Sequence, residues 1–131
     1  MSVPMELSSI VINDMLDEQV ISLREVDGER EFSIVIGSNE AKAISRRLKG
    51  LIPPRPMTHE LLESVVEALG AKLEAIEIYN LQATTYFAYL HLRHGQDVRK
   101  VDCRPSDAIA LGAAGGVQIL VAEHVLDEVA R

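Results

Sequence analysis

The sequence has no Trp, two Phe and three Tyr, so aromatics make up 4% of its 131 residues. A core built from it must be aliphatic, drawn from Val, Ile, Leu and Ala. A single cysteine, Cys103, excludes an internal disulfide and any zinc site built on a cysteine cluster. No run approaches the roughly 20 apolar residues of a membrane-spanning helix. Residues Met1 to Leu7 lack both a basic stretch and a continuous apolar stretch, so they do not read as a secretory leader. The expectation is a soluble cytoplasmic protein without membrane contact. A basic excess is missing too: 13 Lys and Arg stand against 20 Asp and Glu, a formal net charge of -7. General nucleic-acid binders usually carry the opposite balance.

The remaining composition is that of a folded chain. Hydrophobic residues are 47% and charged residues 25%, ordinary values for a globular domain. A length of 131 residues fits one domain, since domains cluster near 100–150 residues, and 1–131 is read as that one unit. There is no linker, low-complexity stretch or long internal repeat.

Hydrophobic period predicts the elements. Leu7 to Ile12 is rich in β-branched residues. Val20 to Val26 and Glu31 to Ile36 flank Asp27-Gly28, a favoured hairpin pair. Ser38 or Asn39 is placed to cap a helix over about Glu40 to Leu48, with Ala41, Ile44 and Leu48 inward and Lys42, Arg46, Arg47 and Lys49 toward water. A proline-rich connector follows. Thr58 then reads as the N-cap of a helix over His59 to Leu69, with Leu61, Leu62, Val65, Val66 and Leu69 as its core-facing stripe. Strands are expected at Lys72 to Tyr79, Tyr86 to Arg93, Val98 to Asp102 and Gln118 to Ala122. Pro105 suits the first position of a helix reaching Ala114, and a terminal helix covers Glu123 to Ala130. The fold class is α+β: about seven strands in a mostly antiparallel or mixed sheet, with about four helices.

Two segments carry more chemistry than capping requires: Arg55-Pro56-Met57-Thr58-His59-Glu60 and Asp102-Cys103-Arg104-Pro105-Ser106-Asp107. Each opens a helix, where unsatisfied N–H groups and partial positive charge favour an anion. An adjacent Arg adds a bidentate phosphate donor. Carboxylates and an imidazole at the same place are the groups that activate water or hold a divalent ion. The same residues also read as plain structure, with Glu60 and Asp107 in first helical turns and Arg55 and Arg104 as their ion-pair partners. Basic residues gather at Lys42, Arg46, Arg47, Lys49 and Arg55, and again at Arg93, Arg99, Lys100 and Arg104. The acids Asp14, Asp17, Glu18, Glu25, Asp27, Glu29 and Glu31 lie in the N-terminal part. A local basic face is therefore compatible with the acidic total. No Walker-type loop, dinucleotide fingerprint or zincin-type histidine pair is present.

Three stretches in order, Ile36-Gly37-x-x-Glu40-Ala41-x-Ala43-Ile44, Arg55-Pro56-x-Thr58-His59-Glu60-Leu61-Leu62 and Asp102-x-Arg104-Pro105-Ser106-Asp107-Ala108-Ile109-Ala110-Leu111, resemble the bifunctional nuclease domain family. The likeness runs from about Met5 to Leu126. It implies a compact α+β domain, nuclease activity on DNA or RNA, and association as homo-oligomers such as dimers. Its motif residues fall on Glu40, Arg55, Thr58, His59, Asp102, Arg104, Ser106 and Asp107. In a nuclease arrangement, Asp102, Asp107 and Glu40 would hold a divalent ion such as Mg²⁺ or orient water. His59 would act as acid or base, and Arg55 and Arg104, with Thr58 and Ser106, would hold the phosphate. The alternative is a non-catalytic binding or regulatory module in which the same residues form a structural polar network. The family's usual Arg after the Ala-Leu run is replaced here by Ala114, which removes one candidate phosphate or carboxylate partner that the resemblance implies. Phe87 and Tyr89 share a strand face with His91 and Arg93, a patch that suits a subunit interface or a helix-covered core.

Overall fold

The computed structural model describes residues 1–130. The chain runs β1 (Ser2–Val11), β2 (Glu18–Glu25), β3 (Glu31–Gly37), α1 (Ser38–Leu48), α2 (Thr58–Ala68), β4 (Lys72–Gln82), β5 (Thr85–His94), β6 (Asp97–Cys103), α3 (Pro105–Gly112), β7 (Gln118–Ala122) and α4 (Glu123–Val129). All strands join one seven-stranded sheet in the order β3-β2-β1-β7-β4-β5-β6. Every pairing is antiparallel except β4 with β7, which makes the sheet mixed and the class α+β. No helix among the described residues is long and apolar enough to cross a membrane.

Period two decides which face of the sheet is covered. Ile21 and Leu23 of β2, Phe32, Ile34 and Ile36 of β3, Ile76 and Ile78 of β4, and Ile119 and Val121 of β7 are all buried and belong to one aliphatic core. The helices pack on this face. The sheet curls around them until Phe32 of β3 meets Tyr86 of β5, ring centroids 5.8 Å apart, although four strands separate β3 from β5 in the sheet order. Inside the curl lies α3, with Pro105, Ser106, Ala108, Ile109, Ala110, Leu111 and Gly112 buried. A helix apolar on all sides is stable only in such a place. Gly112 permits the close fit, since a Cβ there would come within 3.2 Å of Val117 and 3.3 Å of Leu73.

Several expectations change. β1 begins at Ser2 and β4 runs on to Gln82. The β2–β3 hairpin forms, but Asp27-Gly28 sits within a longer loop closed by the Glu25 N–H to Arg30 carbonyl bond of 2.9 Å. Gly37 is the N-cap of α1, with no side-chain cap from Ser38 or Asn39. Met57 rather than Thr58 caps α2, and the Glu60 carboxylate accepts the Met57 N–H at 3.1 Å. α3 ends at Gly112 and continues as a 3₁₀ turn over Ala113–Gly115. The largest correction concerns α2. Its stripe is exposed, with Leu61 at 57%, Val65 at 44% and Leu69 at 69%, and its one buried residue is His59. Helical period reports which residues share a face; it does not report whether another element arrives to cover that face.

Arg46 and Arg47 were expected to face water, and Arg47 does the opposite. Its side chain is 9% exposed. Nε donates to the Ala110 carbonyl at 2.6 Å and Nη2 to the Leu111 carbonyl at 3.3 Å. Nη1 reaches Glu60 at 2.8 Å and Nη2 reaches Glu63 at 2.9 Å. A cation therefore caps the carbonyl end of α3 while gripping α2, a placement that the helix dipole also favours. Burial alone would lower the Arg47 pKa, but the hydrogen bonds to Glu60 and Glu63 leave it above its ordinary value.

Arg47→Ala is expected to cost about 3–5 kcal/mol, the range for breaking a buried charged contact. Thermal denaturation should show Tm falling by about 10 °C or more. Arg47→Lys should recover little, because one ammonium cannot serve two carbonyls and two carboxylates. A Tm within a degree or two of wild type for Arg47→Ala would rule this role out.

Candidate functional site

The N-terminal ends of α1, α2 and α3 meet at one open cleft of about 580 Å³, lined in part by Glu40, Arg46, His59, Arg104 and Asp107. Each element delivers its residue for a local reason. Glu40 lies in the first turn of α1, with its carboxylate folded back against Gly37 where a Cβ would collide with it. His59 is the second residue of α2 and turns inward. Asp107 lies in the first turn of α3, and Arg104 immediately precedes that helix. The α3 N-terminus is fixed because the helix is buried along its length, so Asp107 cannot drift relative to the sheet.

The central contacts are short. His59 Nε2 lies 3.0 Å from Asp107 Oδ1. Arg104 Nε donates to Asp107 Oδ2 at 2.9 Å, and Arg104 Nη2 lies 2.8 Å from the same oxygen. Arg104 Nη2 also faces Glu40 Oε2 at 3.5 Å. Its hydrogen bond to Asp107, above all, holds the Arg104 pKa above the usual guanidinium value. An ionised carboxylate only accepts, so in the neutral tautomer that donates Nε2–H to Asp107 the lone pair lies on Nδ1. Nδ1 has no partner among the described residues and is not one of their buried orphan atoms. The imidazole is thus oriented by a carboxylate with its basic nitrogen left free, the arrangement that general bases use.

Not every expected residue arrives. Glu40, Arg104, Asp107 and His59 are linked in that order by successive contacts, and exposed Thr58 lines the same cleft. Buried Ser106 lines an adjoining cleft that also includes Arg104. Arg55 is exposed in the connector and makes no ion pair among the described residues; Glu60, its expected partner, is taken by Arg46 and Arg47. Asp102 lies elsewhere. It pairs with Tyr89 across β5–β6 on the sheet face turned away from the helices, where it accepts the Tyr79 hydroxyl at 2.9 Å. The alternation that hides Ile76 and Leu90 under the helices sends Glu77, Tyr89 and Asp102 the other way.

The expected Asp102–Asp107–Glu40 metal set therefore does not assemble. Among the described residues no three His, Cys, Asp or Glu side chains are grouped to hold an ion. Both oxygens of Asp107 are engaged, and the Arg104 charge stands between Asp107 and Glu40, which opposes a cation there. Cys103 lies half-buried in β6, its thiol pushed up to about 11 mainly by burial, so it is a poor nucleophile. Ala114 is exposed in the turn beyond α3, at the opposite end of that helix from Asp107, roughly 10 Å along its axis. An Arg at that position would begin far from the cleft, so its replacement leaves the cluster intact.

Sequence comparison identifies the lineage. The family model for the bifunctional nuclease domain matches residues 20–131. The chain belongs to the bifunctional nuclease domain family. Two relatives from Mycobacterium tuberculosis, "Uncharacterized protein MT1877" (strain CDC 1551 / Oshkosh) and "Uncharacterized protein Rv1829" (strain ATCC 25618 / H37Rv), are each 41% identical over 110 residues. The match covers 84% of this chain and 65% of each relative. In this domain the third motif, from Asp102 onward, divides between two faces of the sheet, and only the part from Arg104 onward reaches the cleft.

The cleft residues missed from sequence are Asn39, Lys42 and Arg46, which also line it. Their signal was available: positions 39, 42 and 46 share a helical face, and that face adjoins Glu40.

Acid should loosen this site through Glu60, which holds α2 against α1. Burial would raise the Glu60 pKa, but the hydrogen bond from Arg47 and the Met57 N–H hold it below the usual carboxylate value. A carboxylate depressed in the folded state stabilises fully above its unfolded pKa of about 4.3. That contribution is lost as pH falls through the lower folded value. Denaturation midpoints should be flat above about pH 5 and fall below about pH 4, with Glu60→Gln less stable at neutral pH and less acid-sensitive. An identical acid slope in Glu60→Gln would refute the assignment.

Proposed function

We propose that this domain hydrolyses phosphodiester bonds in DNA or RNA at the cleft where α1, α2 and α3 begin. The observation that carries this reading is the His59–Asp107–Arg104 constellation, an oriented imidazole beside an exposed guanidinium. Nδ1 of His59 removes a proton from water, or from a ribose 2′-hydroxyl. The oxygen so activated bonds to phosphorus while the ester oxygen on the far side departs and takes up a proton from solvent water, and the imidazolium gives its own proton back to solvent. Asp107 keeps the imidazole in the productive tautomer and stabilises its cationic form. Arg104, 63% exposed in its side chain, offers N–H donors to the phosphate oxygens as charge moves between them. Glu40 holds the guanidinium from behind. The two 11-residue helices and the eight-residue α3 add the positive ends of their dipoles on the same side.

This scheme uses no resident ion, and a nuclease assay on single- and double-stranded DNA and on RNA tests it. Cleavage is expected to persist in chelator and to fall at least 100-fold in His59→Ala, the usual scale for a general base. Asp107→Asn should fall similarly with KM little changed. Wild-type activity surviving unchanged in His59→Ala removes the assignment. A wild-type protein that cleaves nothing while Asp107→Asn lowers Tm sharply favours the non-catalytic module.

The uncovered face of α2 supports self-association. Leu61, Leu62, Val65 and Leu69 at α2, and Leu51 and Ile52 of the connector before it, are all at least 42% exposed. Together they expose on the order of 600 Å² against the roughly 800 Å² that each partner gives up in a standard interface. A second copy of this chain is the occupant we assign, since the face is apolar and carries no charge of its own to select another partner. Phe87 and Tyr89 serve this less well, because Tyr79 stacks on Tyr89 at 3.8 Å and Lys100 lies 5.4 Å from its ring centre. Light scattering on the wild type should give a dimer, and Leu61→Lys with Val65→Lys a monomer. A monomeric wild type at tens of micromolar rejects the interface.

A further inference from the structure

Among the described residues, one buried side-chain polar atom has no hydrogen-bond partner, and it is Arg46 Nε. Buried donors are rarely left unpaired. The rest of the Arg46 guanidinium is loosely held: Nη2 lies 3.4 and 3.5 Å from the two Glu60 oxygens, beyond the usual range for such a bond. Glu60 does not depend on it, because Arg47 binds the same carboxylate at 2.8 Å. Arg46 Nη1 has no partner among the described residues and is not buried, so Arg46 offers a free guanidinium donor on the wall of the cleft. Lys42, one helical turn away, lines the same wall and is exposed. Neither touches the His59–Asp107–Arg104 cluster by any hydrogen bond or ion pair among the described residues. With Arg104 they bring three cations to a cleft whose carboxylates are Glu40 and Asp107, in a chain of net charge -7.

We propose that Lys42 and Arg46 form a second anion subsite, which takes the phosphate adjacent to the one being cleaved. The inference rests on the reading of the cleft as a phosphodiesterase site and deepens it. The substrate is then a polynucleotide backbone bound over at least two successive phosphates, rather than an isolated phosphodiester. Arg104 addresses the reacting phosphate. Arg46 supplies the planar fork for its neighbour, and Lys42 adds a point charge beside it. The local cations overcome the acidic total because phosphate contacts act over a few ångströms, whereas the distant acids are screened beyond a Debye length of about 8–10 Å.

Two measurements separate the subsite from the catalytic reading. The first is binding of a fluorescein-labelled phosphorothioate single strand, followed by anisotropy against salt for wild type, Lys42→Ala, Arg46→Ala and the exposed control Lys49→Ala. Each lost phosphate contact should reduce the slope of log K against log salt by about 0.7 and weaken binding about tenfold. Lys49→Ala should match wild type. The second is turnover of bis(4-nitrophenyl) phosphate, which offers only one phosphate. Arg46→Ala should lose about tenfold more in kcat/KM on a polynucleotide than on this single-phosphate ester. Salt slopes for Lys42→Ala and Arg46→Ala equal to that of Lys49→Ala overturn the subsite, as does an equal loss on the single-phosphate substrate. Should no substrate be cleaved at all, the binding slopes still decide the subsite independently. Should Arg46→Ala lose its fold, Lys42→Ala, altered only at an exposed position, carries the same test.

Discussion

Arg47 reaches from the last turn of α1 into the carbonyl end of α3, and the same guanidinium binds Glu60 and Glu63 of α2. α2 buries only His59, so apolar packing does little to hold it. What keeps its first turn in place is largely this charged contact, together with the Glu60 hydrogen bond to the Met57 N–H. His59 stands one residue before Glu60. The position of the imidazole against Asp107 thus depends on an arginine that never enters the cleft. A polar tie of this kind is directional where apolar packing is not, and a site that must hold an imidazole within hydrogen-bond distance of a carboxylate needs direction more than it needs area.

The elements that were legible in the sequence are those whose signal is local. Period two in Phe32, Ile34 and Ile36 and the Pro105 helix start both report on the chain within a few residues. So did the helix-start motif from Arg104 to Asp107, whose ion pair lies between neighbours in sequence. The errors came where the answer depended on distant chain. The α2 stripe carries correct helical spacing but lacks a covering element. Arg47 looks like any surface arginine until Ala110 and Leu111 arrive beneath it. Asp102 and Asp107 are five positions apart, and the chain passes from strand to helix between them, so the two carboxylates leave on opposite sides of the sheet. Buried Gln19 was invisible for the same reason, since its partners are the backbone carbonyls of Asn13 and Leu16 in a loop of no periodic pattern.

Three arginines around the same helices show why residue type alone does not assign a role. Arg47 is nearly buried and fully engaged, and it is structural. Arg104 is largely exposed but gripped on one side by Asp107 and Glu40, which aims its remaining donors at the cleft. Arg46 is partly buried, weakly paired and left with an unused donor. The sequence presents Arg46 and Arg47 as adjacent members of one basic cluster. A rotation of 100° around α1 sends one into the carbonyls of α3 and the other to the cleft wall.

The same reasoning bears on the net charge of -7. An acidic total would weaken nucleic-acid binding if the acids shared the surface that the substrate meets. Many do not. Glu25 and Glu123 are taken by Arg30 at the edge formed by the β2–β3 hairpin and α4, and Glu60 and Glu63 by Arg46 and Arg47. At the cleft the balance reverses: Lys42, Arg46 and Arg104 outnumber Glu40 and Asp107, and three helix N-termini add partial positive charge. A global charge that disfavours indiscriminate binding, combined with a local one that favours phosphate, confines an anionic polymer to one place. On the proposed reading, in which the chemistry depends on a single imidazole, that confinement also sets which bond is presented to it.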